Sequence, residues 1–426
     1  MHAGLESRLI IHNILKMIKI KSISFDEAFY FHTKKILNVK DKKFIHNTTL
    51  TAIRNYLIIE KIIDGLVKSI NKESDTFFLL LSAICQINFL NVKEYAVVSS
   101  SVELSKNTKI KTHTKLINGC LRNFLRKKNH FNEIKINFND MPKWFIKETK
   151  KLSDNQKKLF LESIFQQPTL HLVFKENINI SEYLKFGIQT SDKSLAINKN
   201  YSFSDIPNFI KGEWWVQDFS TMLPLSLVEL KKFKSIADVC SAPGGKLFQI
   251  LNQNKNVIGF EKNKKRIKVL NQNLERLRFS SEIKVMDFLN FNEENKFDLI
   301  VIDAPCSSIG TIRRNPELFF KKENPNFNFL TNIQAKLLEK SKIILKNKGI
   351  LIYMVCSFLE KETIQQINNF LKRNKNFKIS SFDLNRNILS RKIIKNEKYF
   401  HTMPTKIMTN VKIDGYFAVK LIKEND

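Results

Sequence analysis

From about residue 216 the chain alternates short, almost unbroken aliphatic runs with amphipathic helical stretches, and few folds accommodate that pattern. Residues 235–239, 256–260, 282–285, 298–302 and 350–355 read as strands. Residues 246–252, 263–278 and 331–345 read as helices, with Asn263 in position to cap the second. Strands that are apolar on both sides must be covered on both faces, which predicts a parallel sheet with helices above and below. In such sheets a ligand binds beyond the carboxyl ends of the strands, so the residues that close each strand are where chemistry is expected.

The first strand runs into Asp238-Val239-Cys240-Ser241-Ala242-Pro243-Gly244-Gly245-Lys246. Paired glycines let the backbone turn tightly and approach a ligand, and free N–H groups at the following helix start suit a carboxylate. Glu261 closes the second strand, at the distance where an acid holds ribose hydroxyls. Asp287 follows the third strand and is placed toward an adenine. No GxGxxG occurs, which argues against nicotinamide or flavin. A loop of this kind is weak evidence alone, but acids closing strands two, three and four favour an adenosyl cofactor.

The fourth strand ends in Asp303-Ala304-Pro305-Cys306-Ser307 and the fifth in Val355-Cys356-Ser357. A lone cysteine is usually a small buried hydrophobe. Two at strand ends, both directly before a serine, suit a different task. C5 of cytosine is a poor nucleophile, and adding a thiolate at C6 turns it into an enamine able to attack a sulfonium methyl. Asp303 is suited to hydrogen-bond the ring at N3 as the thiolate adds. A free thiol titrates near pH 8.5, so the site must favour the thiolate. Cys240 is expected to pack, or to meet ligand through its backbone, while Cys85 and Cys120 fall on apolar helical faces.

Residues 1 to about 130 read as all-helical. Ile10, Ile14, Met17 and Ile18 share one face, and Leu50, Ile53, Leu57, Ile63, Leu66, Val67 and Ile70 another. A helix over about 111–127 turns Leu116, Ile117, Cys120, Leu121, Phe124 and Leu125 inward. Lys111, Lys115, Arg122, Arg126 and Lys127 lie on the same helix, and either a solvated face or an RNA-facing patch fits them. The Asn-rich stretch 127–140 reads as a boundary. Strands are expected at 169–175 and around 214–216. The run 77–90 is a buried helix and not a membrane span.

Lys and Arg number 71 against 41 Asp and Glu, a net +30 that attracts polyanions, although abundant Lys, Asn and Ile also point to a compositional bias. Five cysteines without a CxxC pair argue against a disulfide framework or a zinc site, and no metal is expected. No histidine lies between His171 and His401, which excludes a Ser-His-Asp triad in that span. Nothing at the start reads as a signal peptide, so a cytoplasmic protein is expected.

Three segments in this order, DVCSAPGGK, DAPCSSIGTIRRNPE and VCSFLEKE, resemble motifs of RNA cytosine-5 methyltransferases. Gln217-Asp218 and the closing stretch from Asp414 to Leu421 are similar to further family elements. The helical front is similar to the NusB fold, best over Leu116 to Phe124. Together they resemble the bacterial 16S ribosomal RNA cytosine-5 methyltransferase B family. That resemblance implies a multidomain chain with an all-α NusB-like RNA-binding domain at 1–135 and a small mixed α/β connecting region at 140–215. A C-terminal α/β Rossmann-like class I methyltransferase domain at 216–426 completes it. It implies S-adenosyl-L-methionine as cofactor, bound by Cys240, Ser241, Ala242, Pro243, Gly244, Gly245, Lys246, Glu261, Asp287 and Asp303. Cys356 matches the nucleophile and Cys306 the cysteine that helps release product. The partner is 16S ribosomal RNA, naked or in an early small-subunit particle, and a monomer is expected.

Arg313 and Arg314 match a basic pair that touches RNA phosphate. Departures from the family pattern are Val355 where Thr is usual, Thr363 where Asn is usual, and Val173-Phe174-Lys175 where Arg-x-Asn is expected. An amino-group methyltransferase would end strand four in Asp/Asn-Pro-Pro-aromatic. A ribose 2′-O-methyltransferase can carry an APGG loop but needs no cysteine. A non-catalytic RNA-binding or antitermination factor would not need Asp303, Cys306 and Cys356.

Overall fold

The computed structural model describes residues 3–106, 113–387, 389, 398–408 and 410–425. They divide into two compact units, Met1–Gln166 with Ile312–Asn324, and Gln167–Thr311 with Pro325–Asp426.

The first unit is helical: α1 (Ala3–Lys21), α2 (Phe25–Thr33), α3 (Val39–Arg54), α4 (Tyr56–Leu66), α5 (Asp75–Asn88), α6 (Glu94–Lys106), α7 (Thr114–Arg126), α8 (Lys128–Asn132), α9 (Lys143–Glu148) and α10 (Asp154–Ile164). At its centre lies α5, buried from Thr76 to Ile87 and opened by Ser74, whose hydroxyl accepts from Phe77 N at 3.2 Å. Cys85 and Cys120 are core residues. The apolar stretch 50–70 is not one helix. Asn55 interrupts it, turning its side-chain amide back to Thr51 O at 2.9 Å, and α4 ends at Leu66. On α7, Ile117, Cys120, Leu121 and Phe124 are buried, but Leu116 is exposed, because it falls on the solvent side of that stripe. Lys115, Arg122, Arg126 and Lys127 are exposed too, while Lys111 lies outside the described residues.

The expected boundary at 127–140 and connecting region at 140–215 do not correspond to this division. Phe131 packs into the helical core, and Lys61 pairs with Asp140 at 2.7 Å. Phe145 and Phe160 stack at 4.8 Å, and Phe319 meets Phe145 edge-on at 5.1 Å. The chain therefore leaves the second unit at Thr311, runs through the helical unit as residues 312–324, and returns. Phe320 is fully buried there against Tyr56 at 4.9 Å, and Glu317 accepts from Phe25 N at 3.2 Å. Arg313 is 1% exposed, and its carbonyl accepts from Arg54 at 2.9 Å. It is thus a packing residue and not available to phosphate, whereas Arg314 is exposed.

The second unit opens with an antiparallel sheet, β1 (His171–Phe174), β2 (Gly187–Ser191), β3 (Ser194–Ile197) and β4 (Trp214–Val216), in the order β2-β3-β1-β4. Val173 and Phe174 are buried in it, and Lys175 donates to Leu277 O. Then follow α11 (Phe219–Ser226), β5 (Ile236–Val239), α12 (Gly245–Leu251), β6 (Val257–Phe260), α13 (Lys264–Leu277), β7 (Glu282–Lys284) and β8 (Phe297–Asp303). They continue with α14 (Phe327–Ile344), β9 (Leu345–Val355), α15 (Ile364–Arg373), β10 (Phe377–Ser380), β11 (Tyr399–Thr402), β12 (Thr405–Met408), β13 (Val411–Ile413) and β14 (Tyr416–Lys423). Asn263 caps α13 as expected, accepting from Lys265 N at 3.0 Å.

The large sheet runs β10-β14-β9-β8-β5-β6-β7, with β11 beside β14. β5 to β9 are parallel, but β14 runs antiparallel to β9, and β10 and β11 antiparallel to β14, so the sheet is mixed. Side chains alternate as a strand requires. Leu299, Val301, Ile352 and Met354 pack with α12 and α13, while Ile300, Ile302, Leu351, Tyr353 and Val355 pack with α14 and α15. Among the described residues no helix is long and apolar enough to cross a membrane, and no His, Cys, Asp and Glu group could hold a metal ion.

The buried excursion generates a prediction. Phe320→Ala should destabilise the helical unit by about 3–5 kcal/mol, the usual cost of emptying a buried aromatic site. Hydrogen exchange should show lost protection in α4 and α5 first. Unchanged protection there would mean residues 312–324 only rest on the helical unit.

Candidate active site

The parallel register aligns the strand ends. Val239 lies beside Phe260 and Ile302, and Asp303 beside Met354. The residues that follow therefore emerge on one edge, and β5 sits between strands that wind in opposite directions, the switch point where such sheets bind ligands.

After β5 the chain turns through Cys240, at φ +64°, and Gly244, at φ +118°. A Cβ at Gly244 would lie 2.0 Å from the Phe248 ring, so only glycine fits that turn. Ser241 braces the loop against β6. Its hydroxyl donates to Asp238 O at 2.7 Å and accepts from Phe260 N at 3.1 Å, which commits it to the backbone. Arg266 on α13 donates to Ala242 O and stands 3.4 Å from Glu261 Oε2. Burial pushes the Cys240 thiol up to about 12, with Glu261 and Asp303 adding to it, so Cys240 stays a thiol.

The loop's acids differ in environment. Glu261 is buried; Oε1 accepts from Asn263 N at 2.9 Å, whereas Oε2 has no hydrogen-bond partner. Asp287 is partly exposed, accepting from Leu289 N at 3.1 Å and pairing with Lys262 at 2.8 Å. These bonds outweigh burial and hold its carboxyl below the usual range. Asp238 is fully buried, with neither carboxyl oxygen hydrogen-bonded. Burial, opposed by Ser241 and reinforced by Asp303, pushes it up to about 7. It was not among the expected ligands, although a lone acid in an aliphatic strand just before the loop was a usable signal.

Asp303 ends β8 with both oxygens engaged. Lys246 Nζ meets Oδ2 at 2.5 Å, and the Tyr416 hydroxyl donates to Oδ1 at 3.2 Å. The same ammonium stands 5.2 Å from the centre of the Tyr416 ring. Lys246, expected among the cofactor ligands, is thus the partner of Asp303. Tyr416 comes from the antiparallel strand β14, and its role was not legible as a motif.

The two cysteines face each other, Sγ to Sγ at 3.1 Å, and both remain unoxidised and partly exposed. Ser308 Oγ lies 3.5 Å from Cys356 Sγ. Their titrations are pulled apart. A hydrogen bond from Cys306 holds Cys356 below the ordinary thiol range, with Ser308 and Lys246 helping. The same bond, burial and the nearby Glu362 carboxylate raise Cys306. The bond between the thiols thus favours ionisation of Cys356 over that of Cys306. Gly310 N donates to Cys356 O at 3.0 Å, and a Cβ at Gly310 would fall 1.9 Å from Gly415 O, so the loop after Cys306 closes onto Cys356 only with glycine there. Val355 turns into the apolar layer between β9 and α14, so the hydroxyl missing at this position would have met core and not the thiol. Thr363, also buried, bonds Leu359 O at 2.9 Å.

This asymmetry predicts selective alkylation. With iodoacetamide at pH 7, Cys356 should be modified well before Cys306 and Cys240, as read by peptide mass spectrometry. Faster modification of Cys306 would invert the assignment.

The 16S rRNA methyltransferase RsmB/F family matches residues 225–422, and the NusB family residues 5–126. The ribosomal RNA small subunit methyltransferase B of Photorhabdus laumondii is 29% identical over 375 residues, covering 83% of this chain and 87% of its own. That of Shewanella oneidensis is 28% identical over 381 residues, covering 85% and 88%. In fold, the crystal structure of PH0851 matches 99% of both chains with a TM-score of 0.73 at 18% identity. A methyltransferase homologue from Pyrococcus horikoshii matches 66% of this chain and 95% of its own, with a TM-score of 0.52 at 21% identity.

Proposed function

Because the chain belongs to the 16S rRNA methyltransferase RsmB/F family and carries a NusB-family domain in front, we propose that it methylates C5 of a cytosine in small-subunit ribosomal RNA through a covalent bond from Cys356 to C6. The observation that carries this reading is the thiol pair at 3.1 Å, with Cys356 held low and Cys306 raised, on the strand edge that also bears Asp303.

S-Adenosylmethionine supplies the electrophilic methyl group. The residues present fit it: a loop whose Gly244 admits no side chain, and two buried acids, Asp238 and Glu261, with carboxyl oxygens that accept no hydrogen bond. Glu261 suits ribose hydroxyls, Asp287 the adenine side, and Asp238 the cationic methionine end. The Cys356 thiolate adds to C6. A proton taken up from solvent with the base and held between Asp303 and N3 draws density from the ring as it does so, and Lys246 and Tyr416 hold the Asp303 side chain in place. Once C5 is methylated, Cys306, its own proton first released to solvent, takes the C5 proton; the C5–H electron pair re-forms the C5=C6 double bond as the Cys356–C6 bond breaks and returns the Cys356 thiolate. The exposed Lys115, Arg122 and Arg126 on α7 add to an electrostatic grip on RNA.

Two predictions separate the parts. Glu261→Ala should weaken S-adenosylmethionine binding by about 1–3 kcal/mol, as for a lost charged hydrogen bond. Wild-type affinity should rise between pH 6 and pH 8, because Asp238 must be ionised to attract a cation and is protonated below about 7 in the free protein. Asp238→Asn should flatten that rise. Isothermal calorimetry reads both, and unchanged affinity in both variants would place the cofactor elsewhere.

The second prediction concerns the cysteines. Cys306→Ala should leave a denaturation-resistant protein–RNA adduct, formed faster at pH 8.5 than at pH 7 because Cys356 has lost its hydrogen-bond donor. Cys356→Ala should form none and transfer no methyl group. The reverse pattern would make Cys306 the attacking thiol, and indifference to both would point to ribose methylation.

A further inference from the structure

We propose that Glu362 is the positioning residue of this site: one buried carboxylate sets the spacing of the two thiols by holding the residue that follows each of them. Ser307 follows Cys306, and Ser357 follows Cys356. Glu362 Oε2 accepts from both hydroxyls at 2.6 Å, and Oε1 accepts from Ser307 N at 2.8 Å. Gln334 adds a longer bond to Oε1 at 3.3 Å and anchors itself to Pro305 O at 2.9 Å. Glu362 has no exposed surface, and its own carbonyl accepts from the Tyr353 hydroxyl at 2.9 Å.

Distances of 2.6 Å are those of charge-assisted O–H···O⁻ bonds, about twice as strong as neutral ones. A carboxylate at 0% exposure is tolerated only when its lone pairs are met, and here they are met by the two cysteine loops. Backbone bonds tie Ala304 to Met354 and Gly310 to Cys356 on either side. Between those points the side chain of Glu362 joins the loop that leaves β8 to the loop that leaves β9. Its charge also favours the proton on Cys306. The other charged or titratable groups facing the pair are Asp303, Lys246, Tyr353 and Tyr416.

The inference rests on Cys356 as nucleophile, but its test needs no RNA, so its failure is separate from that of the adduct experiment. Full-length Glu362→Asp keeps the charge and falls one methylene short of the serines. The double variant Ser307→Ala/Ser357→Ala keeps Glu362 and removes both hydroxyl donors. Iodoacetamide modification of Cys356, followed by peptide mass spectrometry from pH 6 to pH 10, reads the thiolate. In both proteins the midpoint should move up by about one unit, so that modification at pH 7 slows about tenfold. Glu362→Gln keeps the reach, since serine hydroxyls can turn to accept from an amide, and should recover most of the rate. S-Adenosylmethionine binding, which uses the β5 and β6 ends, should change little and marks the protein as folded. A wild-type profile in either of the first two variants, with cofactor binding intact, overturns the proposal. If Glu362→Asp does not fold, the serine variant decides alone.

Discussion

Everything at the site depends on the in-register parallel pairing of β5 with β8 and of β8 with β9. A strand's side chains alternate faces, so a slip of one residue would turn Asp303 or Cys356 into the apolar layers. The register is held because Ile300, Ile302, Tyr353 and Val355 fill one layer and Val301, Ile352 and Met354 the other. Packing energy, collected along the strands, thus places polar groups at their ends. Those groups need no stability of their own to be held there.

Within that frame the chemistry comes from inequality between similar groups. Cys240, Cys306 and Cys356 all sit near the edge, yet only Cys356 is held low, by its hydrogen bonds with Cys306 and Ser308 and by the charge of Lys246. The acids divide in the same way. Asp303 has Lys246 and Tyr416 on its oxygens, Asp287 has Lys262, and the carboxyl oxygens of Asp238 accept no hydrogen bond. A carboxylate with two strong donors is a fixed tool, whereas a buried one without them is poised to welcome a cation.

The excursion at 312–324 joins this edge to the rest of the chain. It begins six residues after Cys306, and in the helical unit Phe319, Phe320 and Glu317 are core residues. Substitutions in that segment therefore act first on the helical unit's stability, and an activity loss there is not by itself evidence of a role in catalysis.

The sequence alone determined the alternation of strands and helices between residues 235 and 355, the cap at Asn263 and the positions of Asp238, Glu261, Asp303, Cys306 and Cys356 at or next to strand ends, but not α11, α15 or the antiparallel strands β10 to β13. Each is set by periodicity over a few neighbouring residues, which local sequence records directly. Tertiary structure alone decided what those residues meet. Lys246 bonds Asp303 across 57 positions, Tyr416 reaches it across 113, and Glu362 gathers serines from the loops that follow two strands. It also decided that Phe131 and Phe320 belong to the helical core, where a polar stretch had looked like a boundary. Such pairings depend on which strand lies beside which and on the layer a side chain enters, and neither is written in the spacing of residues along the chain.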